Sequence, residues 1–338
     1  MVIYDGIIEK LQQGGGVTVV FNELIKRLTD YSYCSYDNSS KIANSKHNNI
    51  LSSRFLERYR DARLPAELLS ENAVFHSTYY RLPANANLPV VTTVHDFTYE
   101  KFVKGPARWI HSWQKNRAIR NSDIVICVSH NTAKDLMQYC PVDKTKIRVV
   151  HNGVSESYYP LSIKSNFNYN SVLFVGARGG YKNFNLAIDA VAAVANLELH
   201  IVGGGELSSA ELQQLEDKLS GRYRWLGRLS DDELNMAYNH AYALLYPSSY
   251  EGFGIPIIEA MRAGCPVIAV NVSSIPEVAG DAAILVNEPN VAAFSEALIT
   301  LPAMRNQLIS AGFMQAAKFS WDRCFEETLA VYNELLAK

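Results

Sequence analysis

The sequence has 338 residues, of which 48% are hydrophobic and 20% are charged, and its formal net charge is −2. A chain of this length allows two domains with substantial cores. The composition excludes a disordered, strongly acidic or strongly basic protein, and it argues against duplex DNA as the main partner.

Three features predict a cytoplasmic protein. The first ten residues, MVIYDGIIEK, lack the layout of a signal peptide. No apolar run approaches the roughly 18 residues of a membrane span. The five cysteines form no CxxC and no close pair, which is typical of reduced thiols in a cytosolic chain.

The first half of the chain alternates short apolar runs with helical patterns, which predicts a parallel sheet covered on both faces. Strands are predicted at 2–5, 73–76, 89–95, 123–128 and 147–151, and helices at 17–29, 107–121 and 130–139. Ser129 suits the N-cap of the last of these helices. Residues 152–170 lack periodicity and are interpreted as an interdomain linker.

The second half repeats this alternation. Strands are predicted at 171–176, 197–202, 223–226, 242–246, 266–270 and 282–286, and helices at 184–195, 208–220, 230–240, 255–263, 290–300, 302–318 and 322–337. Gly264 suits the position after a helix end. We therefore expect two doubly wound α/β domains that bind ligands at the carboxyl ends of their strands, in the cleft between them.

Two runs of glycine follow predicted strands: Gly14, Gly15 and Gly16, and Gly203, Gly204 and Gly205. Backbone N–H groups in such loops can approach an anion beside a helix N-terminus. A tight turn explains either run equally well. The spacings GxGxxG and GxxxxGK[ST] are absent, which argues against dinucleotide or ATP binding.

Polar side chains end two predicted strands of the first half. His95 and Asp96 close the strand at 89–95, and His76 closes the strand at 73–76. A histidine there could be a polar contact or a base. The structural alternative is a hydrogen-bonded group that fixes the following loop.

Two cations follow the first strand of the second half, in the loop VGARGGYKN. Arg178 could bind a diphosphate as a fork and Lys182 as a point charge. Two solvated surface cations are the alternative.

Residues 246–269, YPSSYEGFGIPIIEAMRAGCPVIA, are the most specific segment. A strand leads through a glycine loop to a helix with Pro256 in its first turn. Backbone N–H groups at this helix end could hold an anion. Glu251 precedes the helix and Glu259 lies one turn inside it, so the two carboxylates could bind the hydroxyls of a sugar and a ribose.

Two further observations concern a metal site and a membrane surface. No DxD, HExxH or Cys/His cluster is present, so we expect no metal site. Residues 101–120 carry six Lys/Arg interleaved with Phe102, Trp109 and Trp113, and residues 54–63 add four Arg. This mixture is compatible with an anionic membrane surface. A solvated helix face is the alternative.

With Glu251 and Glu259, the segment YEGFGIPIIEAMRAGCPVIA resembles the E-x7-E signature of the retaining glycosyltransferases of family 4. Further matches occur in the family's order along the whole chain: YDG followed by GGGVTVVFNEL, TTVHDFTYE, VSHNTAKDL, VVHNGV, VGARGGYKN, SSIPEVAGDAAILV and FSWDRCFEETLAVY. The pattern is similar to bacterial O-antigen and polysaccharide mannosyltransferases.

The resemblance implies the GT-B fold, in which two Rossmann-like domains face each other across a cleft. Residues 1–160 would form an acceptor-binding domain and 165–318 a nucleotide-sugar-binding domain. Residues 319–338 would form a helix that crosses back to the first domain.

The resemblance also implies roles for individual residues. Arg178 and Lys182 would hold the donor diphosphate, Glu259 the ribose, and Glu251 the transferred sugar. His95 would lie near the reacting centre, so that the catalytic set is Glu251, Lys182, Arg178 and His95. The remaining donor contacts would be Phe253, Gly254, Ile255, Gly15, Gly16 and Gly204. His76 and Asp96 are the candidates for contacting the acceptor.

The implied activity is transfer of a hexose with retention of configuration, without a metal or cofactor. The first choice of donor is GDP-mannose, and the acceptor would be lipid-linked or a growing polysaccharide of O-antigen type. The enzyme would act in the cytoplasm, peripheral to the anionic inner membrane through residues 101–120, with no nucleic-acid partner.

Several alternatives remain open at this point. The donor could be UDP-glucose, UDP-galactose, a UDP-N-acetylhexosamine, GDP-fucose or dTDP-rhamnose. The same fold also serves sugar-nucleotide epimerases and phosphorylases. A non-catalytic carbohydrate-binding protein of this fold is the alternative outside the enzymes.

Overall fold

The computed structural model describes residues 1–12, 15–36, 48–70, 72–84, 87–162 and 169–337. The chain divides into two compact units. The first consists of Met1–Gly153 together with Trp321–Lys338, and the second of Val154–Ser320.

The described part of the first unit contains a parallel seven-stranded sheet in the order β3-β2-β1-β4-β5-β6-β7. Its strands are β1 (Val2–Asp5), β2 (Tyr31–Ser35), β3 (Asn48–Ile50), β4 (Val74–Ser77), β5 (Val90–Val94), β6 (Ile124–Cys127) and β7 (Ile147–Val149). Its helices are α1 (Ile8–Leu11), α2 (Gly16–Arg27), α3 (Thr98–Phe102), α4 (Pro106–Arg120), α5 (His130–Tyr139) and α12 (Trp321–Leu336).

The described part of the second unit contains a parallel six-stranded sheet in the order β10-β9-β8-β11-β12-β13. Its strands are β8 (Ser171–Val175), β9 (Glu198–Val202), β10 (Tyr223–Gly227), β11 (Ala243–Tyr246), β12 (Val267–Val270) and β13 (Ile284–Val286). Its helices are α6 (Phe184–Ala192), α7 (Ser209–Leu219), α8 (Asp231–His240), α9 (Ile255–Arg262), α10 (Ile275–Ala279) and α11 (Val291–Ala316).

Both sheets have the doubly wound topology that the sequence predicts. The central strands are buried throughout, as the apolar runs IVIC of β6 and VIAV of β12 illustrate. The strand order reverses between β1 and β4 in the first sheet and between β8 and β11 in the second. Such switch points are where open α/β sheets bind ligands, at the carboxyl ends of the strands.

Local signals at helix ends are confirmed at three positions. The Ser129 side chain accepts a hydrogen bond from the backbone N of Thr132 and so caps α5. Pro256 lies in the first turn of α9. Gly264 follows the end of α9 with a φ of +79°, which a residue with a side chain rarely adopts.

Strands β2 and β3 carry no pattern that predicts them, and the predicted break within α11 is wrong. Strand β2 has the sequence YSYCS, which lacks an aliphatic run although all five residues are buried. Helices predicted at 290–300 and 302–318 form one helix with Pro302 inside it. Buried residues on both sides of the proline, among them Leu301 and Leu308, hold this helix in the core of the second unit.

Part of the segment 152–170, interpreted from the sequence as a linker, belongs to the second unit. The backbone N of Tyr159 donates to the Asn235 side chain at 3.1 Å, and the backbone N of Leu161 donates to the Asn239 side chain at 2.7 Å. Asn235 and Asn239 lie one turn apart on α8 and fix the chain there. The first segment of the first unit ends at Gly153, before the predicted boundary at residue 160. Residues 163–168 of the segment lie outside the described residues.

Among the described residues, no helix combines the length and the apolar character needed to cross a membrane. The five cysteines are buried and unbridged.

Candidate active site

The loops after β8 and β11, the switch-point strands of the second unit, meet through a buried ion pair. Lys182 ends a short turn after β8, and its Nζ lies 2.5 Å from Oε1 of Glu251. The two side chains are only 14% and 11% exposed. The backbone N of Ser249 donates to the Tyr181 carbonyl at 2.8 Å and fixes the loops against each other. A cation and a carboxylate thus occupy one fixed place at the ligand-binding edge of the sheet.

Two serines after β12, which the sequence analysis did not identify as site residues, hold the backbone of Glu251. The Glu251 backbone N donates to Ser273 Oγ at 3.2 Å. Ser274 Oγ donates to the carbonyls of Glu251 at 2.9 Å and Phe253 at 3.0 Å. Ser273 has a φ of +59°, which a serine adopts only at some cost in free energy. The only signal in the sequence was the SS pair at the end of a predicted strand.

Helix α9 presents its N-terminus beside Glu251. Gly254 precedes the helix with a φ of +104°, and a Cβ there would lie 3.3 Å from Cδ1 of Ile257, so both strain and space favour glycine. The Phe253 side chain is buried against Phe319, with ring centroids 5.6 Å apart. Only the backbone of Phe253, Gly254 and Ile255 can therefore present donors, with the positive end of the helix dipole behind them.

Glu259 lies one turn into α9. The Tyr238 hydroxyl donates to its Oε2 at 3.1 Å. Burial raises the pKa of Glu259 to about 7, so the carboxyl group changes its charge near neutral pH. The Tyr158 hydroxyl interacts with the same carboxyl group and donates to Asp231 at 3.4 Å.

The structure corrects the role expected for Arg178. Its side chain is 5% exposed, and its guanidinium donates to protein acceptors on every side. Nε donates to Oε1 of Glu211 at 2.7 Å, and the two terminal nitrogens donate to loop carbonyls. A guanidinium with all its N–H groups engaged does not offer a fork to a diphosphate. Lys182 is therefore the cation of this loop that remains a candidate for phosphate.

The second glycine run is the loop that Arg178 holds. Gly203, Gly204 and Gly205 all have a φ between +74° and +82°. A Cβ at Gly204 would lie 2.5 Å from Nη1 of Arg178 and 3.0 Å from the Gly176 carbonyl oxygen, so a side chain there would displace the guanidinium.

In the first unit, His95 follows β5 and is partly buried. Its Nε2 is buried and has no hydrogen-bond partner within the described chain. Burial lowers the pKa of His95 to about 4, so the ring is neutral at physiological pH. An unpaired nitrogen on a neutral ring suits a hydrogen-bonding contact better than a general base.

Asp96 takes part in fixing the loop that follows His95. Its Oδ1 accepts from the backbone N of Thr98 at 2.8 Å. The Asp96 carbonyl accepts from the ammonium of Lys115, which also lies 2.6 Å from Oε2 of Glu100. Lys115 is fully buried on α4 and was not singled out from the sequence.

The prediction that His76 contacts an acceptor is wrong. The residue is completely buried, and its Nδ1 lies 2.6 Å from the Tyr332 hydroxyl while its Nε2 lies 2.9 Å from Oγ1 of Thr93. Burial lowers the pKa of His76 to about 3. Both ring nitrogens are satisfied inside the unit, so His76 fixes α12 to the sheet.

The first glycine run borders the start of α2. Gly15 is the N-cap of this helix and Gly16 its first residue. A Cβ at Gly16 would meet nothing within 4 Å, which leaves open space at this helix end. Gly14 lies outside the described residues.

Taken unit by unit, the described residues bring no three His, Cys, Asp or Glu side chains within reach of one metal ion.

The two basic stretches of the first unit lie against each other. The Gln114 side chain of α4 donates to the Arg58 carbonyl at 2.6 Å, and Arg117 forms a two-bond ion pair with Asp61. Large apolar side chains nevertheless stay exposed on both stretches: Phe55 (81%), Trp109 (77%) and Trp113 (62%).

Two models of known families match consecutive parts of the chain. The model described as Glycosyltransferase Family 4 matches residues 43–158, and the model described as Glycosyl transferases group 1 matches residues 161–312.

Curated relatives share modest identity with the chain. O-antigen chain mannosyltransferase B of Escherichia coli is 26% identical over 78% of this chain and 74% of its own length. O-antigen chain mannosyltransferase RfbU of Salmonella typhimurium is 31% identical over 66% of this chain and 63% of its own length. MMP alpha-(1->4)-mannosyltransferase of Mycolicibacterium hassiacum is 28% identical over 75% and 67%.

Solved structures share the fold at lower identity. Sucrose-phosphate synthase of Thermosynechococcus elongatus matches with a TM-score of 0.78 at 18% identity, covering 99% of both chains. HepE of Anabaena in complex with UDP-glucose matches with a TM-score of 0.74 at 16% identity, covering 98% of this chain and 99% of its own.

Proposed function

The chain belongs to the family 4 glycosyltransferases and has their GT-B fold of two Rossmann-like domains, and we propose that it transfers a hexose from a nucleoside diphosphate sugar to an acceptor hydroxyl with retention of configuration. The observation that carries this proposal is the buried Lys182–Glu251 pair beside the N-terminus of α9. It places a cation, a carboxylate and backbone N–H groups at the switch point of the second sheet.

Each of these groups would bind a different part of the donor. Lys182 would neutralise the charge that develops on the leaving diphosphate, and the N-terminus of α9 would add its dipole. Glu251, held by Lys182 and the two serines, would accept hydrogen bonds from sugar hydroxyls. Glu259 would bind the ribose diol.

The chemical step would then be a front-face transfer. The bond between the anomeric carbon and the diphosphate oxygen breaks, the acceptor oxygen attacks the same face, and the leaving diphosphate takes the proton of the acceptor hydroxyl. The protein contributes positioning and electrostatic stabilisation. His95 would hydrogen-bond the donor sugar or the acceptor as a neutral ring, with Gly15, Gly16 and Asp96 lining the same edge of the first sheet.

The mannosyltransferases among the relatives support mannose, and hence GDP-mannose, as the donor. We propose that no divalent metal takes part, since the chain resembles a metal-independent family and contains no DxD sequence. The resemblance to O-antigen enzymes supports a lipid-linked or growing polysaccharide as the acceptor. The protein would then work at the cytoplasmic face of the inner membrane.

The test begins with thermal unfolding of the protein in GDP-, UDP-, dTDP- and ADP-sugars, with and without EDTA. A ligand that binds only the folded state raises Tm. We expect a selective rise with GDP-mannose that EDTA leaves unchanged. A rise in Tm with another nucleotide sugar would identify that compound as the donor in place of GDP-mannose. No rise with any of them would contradict the proposed site.

Turnover then separates the remaining alternatives. With the donor identified, we expect nucleoside diphosphate release that depends on a glycan acceptor. Conversion of the sugar nucleotide without an acceptor would indicate an epimerase, and sugar phosphate formed only with inorganic phosphate would indicate a phosphorylase. Binding without turnover across acceptors would indicate a carbohydrate-binding protein.

A further inference from the structure

We propose that Arg178 is a positioning residue, which locks the glycine loop Gly203–Glu206 into the conformation that receives the donor and makes no contact with the donor diphosphate itself. This inference rests on the proposed function, because it assigns the loop to the nucleotide-sugar site. It changes the expected list of phosphate ligands and adds Glu211 to the groups on which donor binding depends.

The contacts of Arg178 account for all five of its N–H donors. Nη1 donates to the carbonyls of Gly203 and Gly205, both at 3.0 Å. Nη2 donates to the Glu206 carbonyl at 2.6 Å and to Oε2 of Glu211 at 3.4 Å, while Nε donates to Oε1 of Glu211. Hydrogen bonds to a charged group are the stronger ones in proteins. Replacing these acceptors by a phosphate would leave three carbonyls and a carboxylate without their partner.

The loop needs such an anchor because of its backbone. Three consecutive glycines with positive φ lose more conformational freedom on ordering than other residues do. Arg178 draws three loop carbonyls to one cation. Carbonyl oxygens turned toward a diphosphate would repel it, so holding them on the guanidinium favours the anion at this edge of the sheet.

Arg178 also joins the loops of two neighbouring strands, and the loop that it holds is bonded in turn to a third strand. It comes from the loop after β8, the same loop that carries Lys182. The loop it holds follows β9, and there the backbone N of Gly203 donates to the Gly227 carbonyl at the end of β10 at 2.7 Å. Loss of Arg178 would therefore loosen the donor site without removing a group that touches the donor.

Glu211 provides the decisive variant, and the chain offers a matched control. Glu211 and Glu233 are both the N3 residue of a capping box, with Ser208 on α7 and Ser230 on α8. Arg178 pairs with Glu211, and the hydrogen bond lowers the pKa of that carboxyl to about 2. The substitutions Glu211→Ala and Glu233→Ala remove the same cap, but only Glu211→Ala deprives Arg178 of its carboxylate.

The two roles predict opposite results for Glu211→Ala. If Arg178 is a positioning residue, KM for the donor rises about tenfold in Glu211→Ala and in Arg178→Lys, kcat changes less, and Glu233→Ala stays within twofold of the wild type. If Arg178 binds the diphosphate, Glu211→Ala frees its charge, so KM stays the same or falls, while Arg178→Lys loses the two-bond contact and raises KM. That second result would overturn the proposal.

Hydrogen exchange on the ligand-free protein separates this inference from the proposed function. We expect backbone amides of residues 203–206 to exchange at least tenfold faster in Arg178→Lys and Glu211→Ala than in the wild type or Glu233→Ala. Unchanged exchange would overturn the positioning role whatever the enzyme transfers. Faster exchange in a protein that binds no nucleotide sugar would instead contradict the proposed function alone.

Discussion

Nζ of Lys182 lies 2.5 Å from Oε1 of Glu251, although the residues are 69 positions apart in the sequence. The pair links the loops that leave the two switch-point strands of the second sheet. Because both side chains are largely buried, removing either one leaves an uncompensated charge. The Lys182 ammonium therefore orients Glu251 and places a positive charge beside this carboxylate.

Replacing Lys182 should lower catalysis in the folded enzyme, in addition to the stability that is lost when Glu251 is left unpaired. We expect Lys182→Ala to lower kcat/KM for the donor by a factor that corresponds to about 2–4 kcal/mol of lost transition-state stabilisation, by analogy with the loss of one oxyanion-hole donor. Lys218→Ala is the control, since Lys218 pairs with Asp189 in the same unit but at its exposed surface. Steady-state kinetics checks both variants. A kcat/KM for Lys182→Ala within a few-fold of the wild type would exclude Lys182 as the phosphate cation.

Donor binding should depend on pH through Glu259. Its pKa of about 7 means that the carboxyl is half protonated at neutral pH, and only the ionised form accepts hydrogen bonds from a ribose diol with both oxygens. We expect the donor Kd to fall about tenfold as the pH rises from 6 to 8, and Glu259→Gln to abolish this dependence. Calorimetric titration measures both. The same slope in both proteins would assign the titration to another group.

The ligand-free protein should show the opposite trend in stability. Because the folded-state pKa of Glu259 is raised, its contribution to folding is full below pH 4.5, the ordinary value, and is lost as the pH rises through about 7. We therefore expect the Tm of the wild type to fall relative to Glu259→Gln across this window.

Much of the fold could be predicted from the sequence because it depends on local patterns. The apolar runs VIYD, IVIC and VIAV predict β1, β6 and β12. Capping residues such as Ser129 predict helix ends to within a few positions. The residues Glu251 and Lys182 could be selected because each follows a predicted strand. Their strands proved to be those at the switch point.

The remaining features depend on partners distant in the sequence. Arg178 and His76 are chemically suited to ligands, and only their neighbours in space, Glu211 and Tyr332, show that both are already engaged. Strand β2 could not be predicted because tertiary burial, and not aliphatic composition, makes YSYCS a strand. The continuity of α11 across Pro302 likewise reflects packing that overrides a local helix-breaking signal.

The Tyr332 hydroxyl should be a main attachment of α12 to the first sheet. It lies 2.6 Å from Nδ1 of His76 and 2.9 Å from the hydroxyl of Tyr4, and all three groups are buried. We expect Tyr332→Phe to leave two buried polar atoms unsatisfied and to lower the free energy of unfolding by about 1–3 kcal/mol. Urea unfolding measures this loss. Tyr59→Phe, at a half-exposed site, is the control, and equal midpoints for the two variants would contradict the attachment.

The exposed surface formed by residues 54–61 and α4 should bind anionic membranes. Trp109 and Trp113 are 77% and 62% exposed, and Arg108 and Arg120 are exposed on the same helix, so the rings are free to enter the lipid headgroup region while these two cations meet anionic lipids. We expect the double substitution Trp109→Ala and Trp113→Ala to weaken binding to phosphatidylglycerol vesicles at least tenfold, and added salt to weaken wild-type binding.

Trp225→Ala is the matched control, because this tryptophan is 41% exposed on the second unit and should leave vesicle binding unchanged. Charge reversal at Arg108, in the exposed first turn of α4, should weaken binding as well, by about 1 kcal/mol for each charge lost near the surface. Cosedimentation with phosphatidylglycerol and with neutral phosphatidylcholine vesicles measures both effects. Binding that survives the tryptophan and charge variants would show that another surface meets the membrane, and binding to neutral vesicles alone would exclude the electrostatic contribution.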